Sequence, residues 1–203
     1  MLTVHHLGSS QSERVVWLCE ELELPYRMER YERDPVTKMA PPEYKALHPF
    51  GTAPVITDGD FTLGESGAIV EYLIRLHSDG SLIPGPGGAD YADYLYWFHF
   101  ANGSMVPSLM MDYVRPAADG EVEGVSRTGR ALAMIEQRLG QVPYFAGNEF
   151  TAADIMMSLP RFVAARDLSS FPNIQAYASR ITDRPAYRRA AAKAEPGQVR
   201  TST

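Results

Sequence analysis

The fold is decided by Ala53-Pro54-Val55-Ile56, followed after a short turn by Glu65-Ser66-Gly67-Ala68-Ile69-Val70-Glu71-Tyr72-Leu73. Pro54 marks the end of a hydrophobic strand, because proline cannot donate to a sheet ladder. Asp58-Gly59-Asp60 predicts a hairpin turn between two apolar runs. The second run leads into a helix that opens with a carboxylate and a hydroxyl. Strand, turn, strand and polar-headed helix together predict a pocket rim with free backbone groups and an acid.

The chain before this stretch predicts two parallel strands joined by a helix. Leu2–Leu7 alternates as a strand, and apolar side chains at helical spacing follow within residues 15–22. Tyr26–Tyr31 alternates as a half-buried strand, and the proline-containing segment 34–42 predicts a loop. The resulting order, β-α-β followed by β-β-α, is that of an α+β thioredoxin-like domain.

A segment rich in glycine and proline divides the chain. Residues 81–88 contain two prolines and three glycines without hydrophobic periodicity, which predicts a linker. Beyond it the pattern is helical, with an aromatic stripe from Tyr91 onward. We therefore predict a thioredoxin-like domain over residues 1–80, the linker over 81–88 and an all-helical domain over 89–203. Glu195 and the polar residues after it predict a frayed tail.

Charge and hydropathy argue against several classes of function. The chain of 203 residues has a formal net charge of −6, so it lacks the basic excess that nucleic acid or an anionic membrane would attract. Four basic residues at helical spacing near the C-terminus are interpreted as one solvated face: Arg184, Arg188, Arg189 and Lys193. No apolar run is long enough to span a membrane.

Cysteine and histidine usage bears on compartment and metal binding. Cys19 is the only cysteine, so no internal disulfide can form and an oxidising compartment is not needed. The first residues lack the charged start of a signal peptide, and we expect a cytoplasmic protein. The five histidines have no metal-ligand spacing, since His5 and His6 are adjacent on a strand and point to opposite faces. We expect neither a metal nor a nucleotide cofactor.

These motifs resemble the cytosolic glutathione S-transferase family over nearly the whole chain, from Leu2 to Ala194. Serine-type bacterial and fungal members are similar at four segments: His5-His6-Leu7, Trp17–Leu22, Tyr31–Asp34 and Ala40–Glu43. The resemblance implies a detoxification enzyme that activates glutathione, its co-substrate, as a thiolate and adds it to a small hydrophobic electrophile. A glutathione-dependent peroxidase is one alternative. A non-catalytic glutathione-binding or regulatory module on the same fold is the other.

The turn between the first strand and the first helix offers hydroxyl groups to a thiol. A free thiol has a pKa of about 8.5, and a hydroxyl donor together with the positive end of a helix can lower it. Ser9, Ser10 and Ser12 cluster there, but Ser10 with Glu13 also has the form of a capping box, a purely structural role. In delta- and theta-like relatives the catalytic serine lies four residues before a basic helical residue, which here is Arg14 and selects Ser10. Zeta-like relatives would select Ser9 instead.

The resemblance also assigns contacts to the γ-glutamyl and cysteinyl parts of glutathione. Glu65 would face the ammonium group, and Ser66 at a helix N-terminus would face the carboxylate; plain helix capping is the structural alternative. Ala53, Pro54 and Val55 resemble a cis-proline turn whose backbone pairs with the ligand like an added strand. This pairing is assigned to Val55.

The glycyl carboxylate of glutathione lacks its usual ligand in this chain. Many relatives carry lysine or glutamine at the position of Thr52, and threonine is a weaker substitute. Lys38, His48 or an arginine are the candidates for this role, and loose glutathione binding is the alternative.

The helical segment carries one structural motif and one candidate binding wall. Thr151 with Asp154 resembles the family's capping motif, whose role is in folding. Met105, Met110 and Tyr113 lie where the family forms the wall of its electrophile site, although a methionine-rich stripe at helical spacing is also typical of a core.

A symmetric homodimer is the expected assembly, because two-fold pairing is the commonest closed arrangement. Each predicted domain is small, and the helices that begin near Ser66 and Tyr91 each need more than one covered face. Relatives pack the first domain of one subunit against the second domain of its partner. Phe50 is the candidate anchor, although a core position would explain it equally well.

Overall fold

A computed structural model describes residues 1–114, 126–160 and 167–196 of the chain. Internal contacts divide the chain into two units, Met1–Ser81 with the residues from Asp183 onward, and Leu82–Thr182. The sequence pattern predicts one helical domain for all residues after the linker. The structure instead groups the last helix with the sheet.

The first unit is built on a four-stranded sheet in the described part of the chain. Its strands, in the spatial order β2-β1-β3-β4, are β1 (Leu2–Leu7), β2 (Arg27–Tyr31), β3 (Val55–Asp58) and β4 (Phe61–Gly64). β1 pairs parallel with β2 and antiparallel with β3, and β3 pairs antiparallel with β4. The predicted thioredoxin-like fold is therefore confirmed. Pro54 directly precedes β3 and does not end an earlier strand.

The described residues of the first unit form four helices, of which the first and the third pack their apolar stripes against this sheet. The four are α1 (Ser12–Glu21), α2 (Pro42–Lys45), α3 (Ser66–His77) and α9 (Pro185–Ala194). Val15, Leu18 and Cys19 of α1 are fully buried, as are Ile69 and Leu73 of α3. Helix α1 contacts β1 and α3, and α3 contacts β3 and β4, so both helix N-termini are fixed relative to the sheet.

Helix α9 joins the first unit through ion pairs with α1. Arg184 donates to Glu21 at 2.7 Å, and Arg189 donates to Glu20 at 3.0 Å. Lys193 also pairs with Glu20. The basic residues interpreted from the sequence as one solvated face are therefore partly engaged by acids of α1. This pairing accounts for the grouping of α9 with the sheet.

The second unit is helical. Its elements are α4 (Tyr91–Phe100), a π-helical turn (Ala101–Met105), α5 (Val106–Val114), α6 (Arg127–Leu139), α7 (Ala152–Met157) and α8 (Pro172–Thr182). The rings of Trp97, Phe145 and Tyr177 form a continuous aromatic cluster with centroid separations of 4.9 and 5.1 Å. No helix among the described residues combines the length and apolar character that crossing a membrane requires.

The capping box predicted at Thr151 and Asp154 is present at the start of α7. The carboxylate of Asp154 accepts hydrogen bonds from the Thr151 N–H at 2.8 Å, the Phe145 N–H at 3.0 Å and the Tyr177 hydroxyl at 2.9 Å. Complete burial raises the pKa of Asp154 to about 6, although each of these hydrogen bonds opposes the rise. Asp154 therefore ties the start of α7 to the aromatic cluster.

Candidate functional site

Ser10 lies just before α1, with its side chain directed into a polar cluster. The N-cap position of α1 is Gln11, so Ser10 stands one residue ahead of the cap. The Ser10 Oγ lies 2.8 Å from the Ser12 Oγ and accepts a hydrogen bond from the Ser12 N–H at 3.2 Å. Ser10 is only 9% exposed. Its hydroxyl is therefore held at the positive end of a ten-residue helix.

Ser9, the other candidate serine, occupies a different environment. It is exposed and has a left-handed backbone, with φ of 53°. Its N–H donates to Glu195 Oε1 at 2.8 Å, and its carbonyl accepts from Arg33 Nη2 at 3.3 Å. The backbone of Ser9 thus anchors the loop, whereas Ser10 enters the polar cluster.

The N-termini of α1 and α3 meet through side-chain hydrogen bonds. Gln11 Oε1 accepts from Arg14 Nη1 at 2.8 Å and from Ser66 Oγ at 3.1 Å. Arg14 Nη1 also donates to Ser66 Oγ at 3.3 Å. Arg14 and Ser66 are 3% and 1% exposed. Two helix N-termini and a buried guanidinium therefore converge, which makes this region attractive to an anion.

Glu65, the N-cap residue of α3, has a strained backbone. Its φ of 66° and ψ of 116° lie outside the regions that residues other than glycine ordinarily adopt. Its carbonyl accepts the Ile69 N–H at 2.9 Å, while its side chain is exposed. This backbone conformation leaves the Glu65 carboxylate at the surface, directly beside the buried Ser66.

The residues around Pro54 are divided between the sheet and an open loop. The Ala53–Pro54 peptide bond is cis. Val55 pairs with His5 on one side and with Gly64 on the other, so the residue assigned from the sequence to a ligand lies inside the sheet. Among the hydrogen bonds of the described residues, none engages the N–H or C=O of Ala53. Of the two residues that flank Pro54, Ala53 therefore offers the open backbone.

The candidates for a glycyl carboxylate lie on two loops of the first unit, with His48 and Thr52 between α2 and β3 and Lys38 between β2 and α2. Thr52 is exposed, one residue before Ala53. The His48 ring packs over Gly64, where its nearest atoms lie 3.4 Å from the position of an added Cβ. Its Nδ1 accepts the Phe50 N–H at 3.3 Å. His48 therefore lies next to the residue that precedes Glu65.

Lys38 is exposed and is linked to the serine loop by Arg33, a residue that the sequence analysis does not single out. Arg33 Nη1 donates to the Lys38 carbonyl at 2.9 Å, and Arg33 Nε donates to the Gly8 carbonyl at 2.8 Å. Lys38 has a left-handed backbone, with φ of 59°. Arg33 thus joins the two loops, and the Tyr31–Asp34 motif that contains it gave no local signal for this role.

The three residues proposed as an electrophile wall lie in the second unit. Met105 is buried at the end of the π-helical turn, and Met110 is 57% exposed on α5. Tyr113 lies on α5, and its side chain is outside the described residues.

Two further groups bear on the site, the candidate metal ligands of the described residues and the buried cysteine. In residues 1–114, 126–160 and 167–196, no group of three or more His, Cys, Asp or Glu side chains is placed to hold a metal ion. Burial in α1 raises the pKa of the Cys19 thiol to about 12, so this thiol is inert.

Family models match both parts of the chain. Residues 8–76 match the model for the glutathione S-transferase N-terminal domain, and residues 105–185 match the model for the C-terminal domain. Glutathione S-transferase 3 from Schizosaccharomyces pombe is 35% identical over 216 residues, which span 96% of this chain and 88% of that protein.

Solved structures agree. A glutathione S-transferase from Actinobacillus pleuropneumoniae has a TM-score of 0.86 and 31% identity, and the match covers 96% of this chain and 93% of that one. A family member from Pseudomonas fluorescens with two glutathione bound has a TM-score of 0.74 and 25% identity, covering 93% and 91%. The fold therefore places this chain among thioredoxin-like proteins with a helical second domain. The chain belongs to the glutathione S-transferase family, as the sequence motifs predicted.

Proposed function

We propose that this protein is a glutathione transferase in which Ser10 stabilises the thiolate of glutathione. The observation that carries the proposal is the junction of α1 and α3, where Ser66 Oγ lies 3.1 Å from Gln11 Oε1 and 3.3 Å from Arg14 Nη1. This junction brings Ser10, which follows β1, and the Glu65–Ser66 pair, which follows β4, to the same end of the sheet. Two helix N-termini beside a hydroxyl favour an anionic sulfur over a neutral thiol.

The chemical requirement on this site is moderate. A thiol with a pKa of about 8.5 is only a few per cent ionised at neutral pH, and lowering the pKa by about two units corresponds to ~2.7 kcal/mol. One charge-assisted hydrogen bond from Ser10 contributes about 1.5 to 3 kcal/mol. The α1 N-terminus contributes about 0.3 to 1 kcal/mol more, so the two together meet the requirement.

The rest of glutathione has matching partners in the proposed complex. Glu65 faces the ammonium group, and Ser66 with the α3 N-terminus receives the γ-glutamyl carboxylate. The open backbone of Ala53, beside Pro54, pairs with the cysteinyl residue as an added strand would. This assignment replaces Val55 by its neighbour. The Pseudomonas fluorescens relative with bound glutathione supports a glutathione site on this fold.

The glycyl carboxylate and the electrophile complete the proposal. Thr52 and His48 receive the glycyl carboxylate, and Lys38 adds a positive charge nearby. Met105 and Met110 contribute to an apolar wall for a small hydrophobic electrophile, to which the thiolate adds.

Two measurements test the proposal. Wild-type protein should be retained on immobilised glutathione and should conjugate glutathione to a chromogenic aryl halide. Ser10→Ala should lower the conjugation rate at least tenfold, whereas the matched variant Ser9→Ala should retain most of it, because a hydrogen bond to an anion is worth about 1.5 to 3 kcal/mol. Loss on Ser9→Ala alone would move the role to Ser9. Retention without turnover would indicate a binding module, and peroxide reduction without conjugation would indicate a peroxidase.

A further inference from the structure

Behind Ser10, a chain of polar contacts runs through the interior of the first unit to the C-terminal end of α9. Ser10 Oγ lies 2.8 Å from Ser12 Oγ, which lies 2.9 Å from His6 Nδ1. On the far side of the ring, His6 Nε2 lies 3.7 Å from Glu195 Oε1. Ser12 and His6 are both 0% exposed. A hydroxyl, a second hydroxyl, an imidazole and a carboxylate are thus aligned in series.

The Ser12 hydroxyl can donate in only one direction at a time. A hydroxyl has one hydrogen and two acceptor sites. One acceptor site is used by the Leu7 N–H at 3.1 Å, and the Leu7 carbonyl, at 3.3 Å, is the longest contact of this hydroxyl. The proton of Ser12 can point at the Leu7 carbonyl or along one of the two shorter contacts, to His6 and to Ser10. When it points along a shorter contact and the other partner donates to Ser12, the two contacts run in sequence, from Ser10 through Ser12 to His6 or in reverse. The chain then has two states that differ in the direction of each hydrogen bond.

We infer that Ser12 and His6 relay the thiol proton of glutathione away from Ser10, an inference that rests on the proposed function. The S–H bond breaks as its proton passes to Ser10 Oγ, and the electron pair stays on sulfur. The proton of Ser10 passes to Ser12 Oγ, and the proton of Ser12 passes to His6 Nδ1. The product state is a thiolate that accepts a hydrogen bond from Ser10, and an imidazolium that faces Glu195. His6, Ser12 and Glu195 are positioning residues that act through Ser10.

The surroundings of His6 act on the charge of its ring in both directions. Burial lowers the pKa of His6, which favours the neutral ring before the transfer. The carboxylates of Glu195 and Glu32 and the carbonyl of Ala194 oppose this lowering, and the charge of Arg30 adds to it. The imidazolium is thus disfavoured by desolvation and stabilised mainly by Glu195. The thiolate that forms at the other end of the chain carries the opposite charge and further stabilises the charged ring.

Glu195 is held in place for this role from two sides. The Ser9 N–H donates to Glu195 Oε1 at 2.8 Å. Arg30 Nη2 donates to the carbonyls of Lys193 and Ala194 at 2.7 and 2.6 Å, which fixes the end of α9 against β2. Glu195 therefore belongs to the first unit, whereas the sequence pattern predicted that a frayed tail begins there. Residues 197–203 of that predicted tail lie outside the described residues.

The thiolate absorbance of bound glutathione, titrated against pH, tests the relay. The bound thiol should ionise about two pH units below a free thiol in the wild type. Ser12→Ala should raise its pKa by about one unit, and Glu195→Gln should raise it by about half a unit, because Gln keeps the Ser9 contact and removes only the charge. His5→Gln is the matched control, since His5 lies on the opposite face of β1 with Tyr31 and Thr57 as partners and should leave the pKa unchanged.

A second measurement reads the ring of His6 in the wild-type protein and uses a variant only to assign its signal. Nitrogen NMR of the wild-type protein should show the His6 ring neutral without glutathione and protonated in the complex at the same pH, with the signal assigned from its loss in His6→Gln. Glutathione that fails to bind would overturn both the proposed function and the relay. Glutathione that binds and ionises with the same pKa in wild type, Ser12→Ala and Glu195→Gln would overturn the relay alone. A ring that stays neutral in a thiolate complex would also overturn it.

Discussion

Replacing Glu65 by glutamine should weaken glutathione binding without reducing the stability of the fold. The Glu65 side chain is exposed and makes no hydrogen bond among those of the described residues. Its backbone, by contrast, is held with φ of 66° by the Ile69 N–H. Glutamine has the same shape and the same backbone preference, so the substitution removes only the negative charge. Any effect on binding then reports the charge itself.

The expected magnitude follows from exposure. An ion pair at about 4 Å has a Coulomb energy of about 4 kcal/mol in an environment with an effective dielectric constant near 20. The measured loss should be smaller than this energy for two reasons. Both ions of the pair must be desolvated, and an exposed carboxylate such as Glu65 gains little from pairing. A glutamine amide also retains a hydrogen bond to the ammonium group. We expect a net loss of about 1 to 2 kcal/mol, which is a roughly 5- to 30-fold increase in Kd.

Isothermal titration with glutathione measures this loss, and Glu23→Gln is the matched control. Glu23 is also exposed and also has a left-handed backbone, with φ of 50°, but it lies beyond the C-terminal end of α1. Glu23→Gln should leave Kd unchanged, and thermal unfolding should be the same for both variants. An unchanged Kd for Glu65→Gln would refute the ammonium contact. An equal loss for both variants would mean that overall charge, and not the site, controls binding.

Three further predictions concern stability, reactivity and assembly. Since burial raises the folded-state pKa of Asp154 to about 6, its contribution to stability is present below roughly pH 4 and is lost as pH rises through 6. The free energy of unfolding in urea, taken as wild type minus Asp154→Asn, should therefore fall by about 3 kcal/mol over this pH interval. A difference that stays constant with pH would contradict the pKa shift. Cys19 should resist alkylation at neutral pH in the native state, and rapid labelling would show that α1 opens. The protein should sediment at twice its chain mass of 22.5 kDa, and Phe50→Ser, at a side chain 72% exposed, should shift it toward the monomer. Wild type at the monomer mass would exclude the dimer.

Local patterns predicted the elements well because each depends on residues within a few turns of one another. The helix expected to begin near Ser66 begins at that residue in the structure. The capping box of Thr151 and Asp154 spans one helical turn, so its donors and acceptors are visible in the sequence. Strand order also follows, because a β-α-β unit and a hairpin leave few ways to form one sheet.

The site could be predicted only in part, because its contacts join distant segments. Ser66 and Gln11 are 55 positions apart, and no periodicity relates them. Val55 was assigned an exposed backbone from the motif, but strand pairing on both sides engages it and leaves Ala53 open. In the sequence, Arg33 is only a charged residue near a loop, and its role follows from the three carbonyl groups to which it donates in the structure.

Helix α9 shows why the candidate site is a property of the whole first unit and not of its sheet alone. Its basic residues have helical spacing, which is also the pattern of a solvated face, so the sequence does not distinguish the two. Glu20 and Glu21 of α1 show that this face is packed, because their carboxylates accept hydrogen bonds from arginines more than 160 positions away. The same packing places Glu195 next to Ser9 and His6, although Glu195 is 186 positions from Ser9 in the sequence. Mutations that loosen α9 should therefore alter thiol ionisation as well as stability, because the end of this helix positions Glu195.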